Sequence, residues 1–107
     1  MMKLDKERAL KELGIPDEMY RELVGGFAEQ VTDAIKDFEK FFVAGDLEGI
    51  IRLAHFIKGS AGNLRVEEMH LLAKEIEFSA REGKSLEVIR GSLDRLKNAL
   101  AELKTML

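Results

Sequence analysis

A chain of 107 residues is the size of one domain, enough for a single core and too short for a second, catalytic one. With 46% hydrophobic and 35% charged residues, one proline and no tryptophan, it suits a helical domain better than a disordered chain or a sheet sandwich. A net charge of -3 excludes the broad basic surface of a nucleic-acid or anionic-membrane binder, and the lack of cysteine excludes disulfides and thiolate metal sites.

Breakers and caps divide the chain into five helical stretches. The first runs from about Asp5 to Leu13 and is ended by Gly14 and Pro16; it is expected to act as a lid. The second runs from about Asp17 to Ala44, with Met19, Leu23, Phe27, Val31, Ala34, Phe38 and Phe41 as one apolar stripe. Gly45 reads as its left-handed stop and Asp46 as the N-cap of a third, from about Leu47 to Leu64. The fourth, from about Val66 to Glu82, turns Met69, Leu72, Ala73, Ile76 and Ala80 inward and ends at Gly83. Ser85 caps the fifth, in which Leu86, Ile89, Leu93, Leu96, Leu100, Leu103 and Leu107 alternate steps of three and four. These stops argue against one extended coiled coil. They predict an all-α fold: an antiparallel four-helix bundle with a short additional N-terminal helix, as a single domain over residues 1–107. No apolar run approaches the ~20 residues of a membrane span, and Met1 to Glu7 is charged from the start, so a cytoplasmic protein is expected.

The third stretch carries the chemistry. Leu47, Ile50, Ala54, Ile57, Ala61 and Leu64 form its inward seam. His55 lies roughly 130° from the centre of that seam, in a track with Glu48, Ile51, Arg52, Lys58, Gly59 and Gly62. The imidazole is therefore predicted to face solvent, with an ammonium at i+3 and no side chain at i+4 or i+7. A glycine inside a helix costs about 1 kcal/mol relative to alanine, and access to His55 is a sufficient reason for two. With a reference pKa of about 6.5, a histidine is neutral and nucleophilic at cellular pH. The chain has no glycine-rich phosphate loop, no Walker lysine and no obvious carboxylate cluster for Mg²⁺, so it is not expected to activate ATP itself.

The segment Ala54-His55-Phe56-Ile57-Lys58-Gly59-Ser60-Ala61-Gly62-Asn63-Leu64 resembles the signature of histidine-containing phosphotransfer (HPt) domains of two-component phosphorelays. The likeness extends to Ala44-Gly45-Asp46 and to Leu72, Ala73, Ile76, Glu77 and Arg81. It implies a phosphocarrier rather than an enzyme. By that resemblance His55 exchanges a phosphoryl group with the aspartate of a response-regulator receiver domain, Lys58 sits beside the phosphoryl group and Gly59 keeps the surface open. Mg²⁺ is held by the regulator and no cofactor by this chain. The implied partners are a receiver domain, a hybrid sensor histidine kinase, or both, met by a monomer through Ile51, Arg52, Phe56, Gly62 and Val24. The pattern departs from the family at Arg65, where a glycine is usual. Either Arg65 bears the left-handed conformation at roughly 1 to 2 kcal/mol, or the turn is rebuilt, or Asn63 takes that role.

Other features read more plainly. Glu67-Glu68-Met69-His70 contains the Glu-x-x-His spacing of di-iron bundles, but the second copy is missing because Arg52 precedes His55 by three; no metal is expected, and His70 reads as a surface or helix-edge residue. Phe38, Phe41 and Phe42 read as core packing. Gly25-Gly26 marks a kink, a close helix crossing or part of a docking surface. A different class of function also fits the exposed face: a module that docks a receiver or kinase without being phosphorylated.

Overall fold

A computed structural model describes residues 4–107; Met1 to Lys3, read above as part of a charged N-terminus, lie outside the described residues. Among these residues the fold is all-α, with helices α1 (Lys6–Leu13), α2 (Asp17–Ala44), α3 (Leu47–Asn63), α4 (Glu67–Arg81) and α5 (Leu86–Thr105) and no strand. The stops act as the sequence predicts. Gly45 takes φ 66° and returns its N–H to the end of α2, and the Asp46 carboxylate then accepts from Gly49 N at 3.0 Å to start α3. Ser85 does the same for Val88 N at the start of α5.

The four longer helices close into a ring: α2 packs on α3 and α5, and α4 packs on α3 and α5. Val31, Phe38, Ile50, Ile57, Met69, Ile76, Ile89, Leu93, Leu96 and Leu103 fill the space between them, fully buried. Gly49 is required where α3 begins, since a Cβ there would lie 2.8 Å from the Phe41 ring. Phe38 and Phe42 are buried and Phe41 packs against them, as core residues. None of the described helices is long and apolar enough to cross a membrane.

Two sequence expectations change. At the start of α2 the inward face is Tyr20 and Val24, both buried, while Met19 and Leu23 are 48% and 46% exposed. Both phases are apolar in sequence. The choice between them is tertiary: the Tyr20 hydroxyl donates to the Leu64 carbonyl at 2.6 Å, which fixes that edge of α2 against the end of α3. The seam of α5 is also shorter than its leucines suggest, with Leu86 and Leu107 exposed and the last residue of the helix at Thr105.

The α3–α4 turn is made by Arg65 itself, at φ 62°. Asn63 stays helical. The Arg65 guanidinium offsets the strain by donating to the Gly62 and Asn63 carbonyls at 3.0 and 3.2 Å, and its Nε donates to Glu12 of α1 at 2.7 Å. A glycine would make the left-handed turn without strain; arginine makes it while adding side-chain hydrogen bonds to the last carbonyls of α3 and tying down α1.

Candidate functional site around His55

α3 presents His55 outward, with its side chain 64% exposed. The ring is held from the neighbouring helix. His55 Nδ1 lies 2.9 Å from Glu77 Oε2 of α4, Lys58 Nζ lies 2.7 Å from Glu77 Oε1, and Arg81 donates from Nε and NH2 to Glu77 Oε2 at 3.1 and 2.9 Å. Glu77 itself is only 5% exposed.

Burial raises the cost of ionising Glu77, yet the hydrogen bonds from Lys58, Arg81 and His55 together overcome it and hold its carboxyl down at about 2. An ionised carboxylate accepts hydrogen bonds and donates none, so the His55 nitrogen facing it carries the proton. Nε2 is then the nitrogen with the available lone pair, on a ring that solvent reaches. Lys58, Arg81 and Glu77 leave one net positive charge around it, and Arg52 is exposed on the same track of α3. The arrangement suits a nucleophilic nitrogen working on an anionic group.

The other predicted residues divide. Gly59 is open, with nothing within 4 Å of a Cβ built there. Phe56 is 52% exposed and Ile51 is half-buried against the core, so both reach the surface of α3. Val24 does not: it is fully buried, because Tyr20 and Val24 rather than Met19 and Leu23 form the inner edge of α2. Leu23 takes the outward position instead, lining a shallow groove between α2 and α3 with Gly26, Phe27, Ser60 and Asn63. Gly62 is half-buried rather than open. A Cβ there would meet His70 Nδ1 at 3.1 Å, so the space left by its missing side chain seats the His70 ring. That ring is a helix-edge group, as expected, and its Nδ1 donates to the Lys58 carbonyl at 2.8 Å. Gly25 and Gly26 mark no close helix crossing, since added Cβ atoms would touch nothing within 4 Å.

Glu77 is the residue that the sequence reading left out of the site. Its signal was there: it falls between Ile76 and Ala80 on the buried side of α4, where an unpaired charge would be costly, with Arg81 one turn on. Among the described residues no group of three or more His, Asp or Glu is placed to hold a metal ion.

A family model described as Hpt domain matches residues 22–106, from the first third of α2 to the end of α5. Neither the curated proteins nor the solved structures gave a match to the chain.

Proposed function

The chain belongs to the Hpt domain family, and on that premise we propose that His55 is its phosphoryl-accepting residue. Hpt domains are phosphocarriers of phosphorelays, not catalysts, and interact with response-regulator receiver domains. The observation that carries the assignment is the His55–Glu77 hydrogen bond of 2.9 Å, which puts the proton on Nδ1 of an exposed ring and frees Nε2 for attack.

In this reading Nε2 attacks the phosphorus of a receiver phosphoaspartate in line. The N–P bond forms as the P–O bond breaks, and the electron pair stays on the receiver carboxylate. The receiver supplies Mg²⁺ and this chain supplies none. Lys58, parked on Glu77 before transfer, is within one turn of His55 and can swing to the phosphoryl oxygens, while Gly59 leaves room for the incoming loop. Ile51, Arg52 and Phe56 form the docking face, extended on α2 by Leu23 and Gly26 and not by the buried Val24. Gly62 contributes by seating His70. We further propose an antiparallel arrangement of α2 to α5 and a monomeric, cytoplasmic single domain that meets a receiver domain, a hybrid sensor kinase, or both.

Incubation with a phosphorylated receiver domain tests this. The chain should acquire an acid-labile phosphoryl group, and His55→Gln should abolish it while leaving the helical circular-dichroism spectrum intact. Label retained on the variant would refute the assignment.

A further inference from the structure

Glu77 does more than fix a tautomer, because its charge remains in contact with the ring after the reaction. When Nε2 of a ring protonated at Nδ1 takes a phosphoryl group, no proton needs to move. The product keeps N–H at Nδ1 and the ring becomes a cation. In water such a phosphorylated ring readily gives its Nδ1 proton to solvent, leaving a neutral form that is slow to transfer, since its departure would require an imidazolate as leaving group. The protonated form departs as neutral imidazole: the N–P bond breaks, its electron pair returns to Nε2, and the proton stays on Nδ1. Whatever holds that proton holds the group in its transferable form.

We propose that Glu77 holds the Nδ1 proton on phosphorylated His55, so that the carrier stores its phosphoryl group as a cationic, readily transferred species at neutral pH. The proposal rests on the assignment of His55 as the acceptor. Its basis is geometric: Glu77 Oε2 lies 2.9 Å from Nδ1, on the side of the ring away from the reacting nitrogen, so phosphorylation does not displace it. The carboxylate is itself pinned, since Lys58 holds Oε1 and Arg81 holds Oε2. The other charged groups around the ring work in the opposite direction. Lys58 and Arg52 from α3 and Arg81 from α4 are cations that disfavour a further positive charge, and Lys74, one turn before Glu77, is exposed. Among the described residues no ion pair or side-chain hydrogen bond from α2 reaches His55. Glu77 is thus the anion in contact with the ring. A neighbouring opposite charge raises the pKa of a cation, so removing it should let the phosphorylated ring lose its proton at lower pH.

Glu77→Gln isolates the charge, since a glutamine oxygen still accepts from Nδ1 and keeps the ring in place. The full chain and this variant would be phosphorylated with phosphoramidate, which needs no partner, and the phosphohistidine followed by ³¹P NMR and by hydrolysis as a function of pH. Because the ring is exposed, the expected shift is modest: the titration midpoint should fall by about one pH unit in the variant, and the half-life of the phosphohistidine at pH 7.5, where the unaltered ring is still mostly protonated, should lengthen by about threefold. Below pH 5 the two proteins should converge. An unchanged midpoint with only a loss of thermal stability would overturn the proposal and leave Glu77 a structural residue. A measurement on the unaltered protein covers a variant that folds poorly: ¹⁵N NMR of the phosphorylated chain at pH 7.5 should show Nδ1 protonated, and a deprotonated Nδ1 would equally overturn it. Phosphoryl label absent from His55 in the unaltered protein would instead sink the acceptor assignment, and the proposal with it.

Discussion

The ammonium of Lys58 is bound to Glu77 Oε1 at 2.7 Å, and the residue stands one turn beyond His55 with its charge spent on the same carboxylate that holds the histidine ring. Lys58 therefore has two roles that a single substitution removes together. It satisfies one oxygen of a buried carboxylate, and in the proposed function it is the cation that turns to a phosphoryl group on Nε2.

Lys58→Ala should accordingly slow phosphoryl exchange with a receiver by about tenfold to a hundredfold and lower stability by about 1 kcal/mol, without unfolding the domain. Glu77 would retain Arg81 and His55 as partners. Rapid-quench transfer kinetics beside urea denaturation measure the two effects. Full-speed transfer by a destabilised variant would leave Lys58 with the structural role alone.

Gly59 and Gly62 separate what the sequence grouped. Gly59→Ala puts a methyl group into open space on a helix and should stabilise the domain by up to about 1 kcal/mol. If the position exists to admit a partner, the same variant should bind a receiver and be phosphorylated by it more slowly while being more stable. Gly62→Ala instead brings its methyl to 3.1 Å from His70 Nδ1, so the ring must shift by a few tenths of an ångström against its 2.8 Å bond to the Lys58 carbonyl, and the variant should gain less stability than Gly59→Ala. Thermal melts paired with transfer rates decide both; a Gly59→Ala protein that transfers at the normal rate would remove the access argument.

The outward apolar residues give a test of docking. Leu23→Asp and Phe56→Asp change exposed positions and should cost little stability. Each should weaken receiver binding by about tenfold or more if the partner meets both the groove lined by Leu23 and the exposed Phe56. Val24→Ala should do the reverse, lowering stability by about 1 to 2 kcal/mol through the core and leaving affinity nearly unchanged. Titration calorimetry with the unphosphorylated receiver would reject this surface if the aspartate variants bound normally.

Helix ends were legible because each is written in local chemistry: Gly45 and Asp46 at one junction and Ser85 at another need only their own neighbours. The outward direction of His55 was legible for the same reason, since the seam of Leu47, Ile50, Ala54, Ile57 and Ala61 fixes the phase of α3. The phase of α2 near Tyr20 was not, because two apolar tracks compete and a hydroxyl bond to residue 64 decides between them. Arg65 was visible as an anomaly but not as a solution, because Glu12, which holds its guanidinium, lies 53 residues away in sequence. Glu77 is the deepest case. Its charge in an apolar row was readable, whereas its convergence with residues 55, 58 and 81 depends on the register between α3 and α4.

That convergence has a consequence for acid stability. Glu77 ordinarily ionises near 4.5 and is held at about 2 in the fold, so its ionised contacts contribute fully above pH 4.5 and are lost as the pH falls toward 2. The linked contribution is at most about 3 kcal/mol for a carboxyl shifted this far. Glu39 is also held at about 2, by hydrogen bonds from Arg90 and then Lys97, but its side chain is 39% exposed and solvent screens much of that gain. Urea denaturation of the unaltered protein should therefore show a marked loss of stability between pH 6 and pH 3. Glu77→Gln, although less stable at pH 6, should lose about 1 to 2 kcal/mol less over the same interval, and Glu39→Gln should change the loss by a smaller amount. Equal losses in the Glu77→Gln and unaltered proteins would mean that the carboxylate is not stabilised by its three partners, and would withdraw the electrostatic basis for its hold on His55.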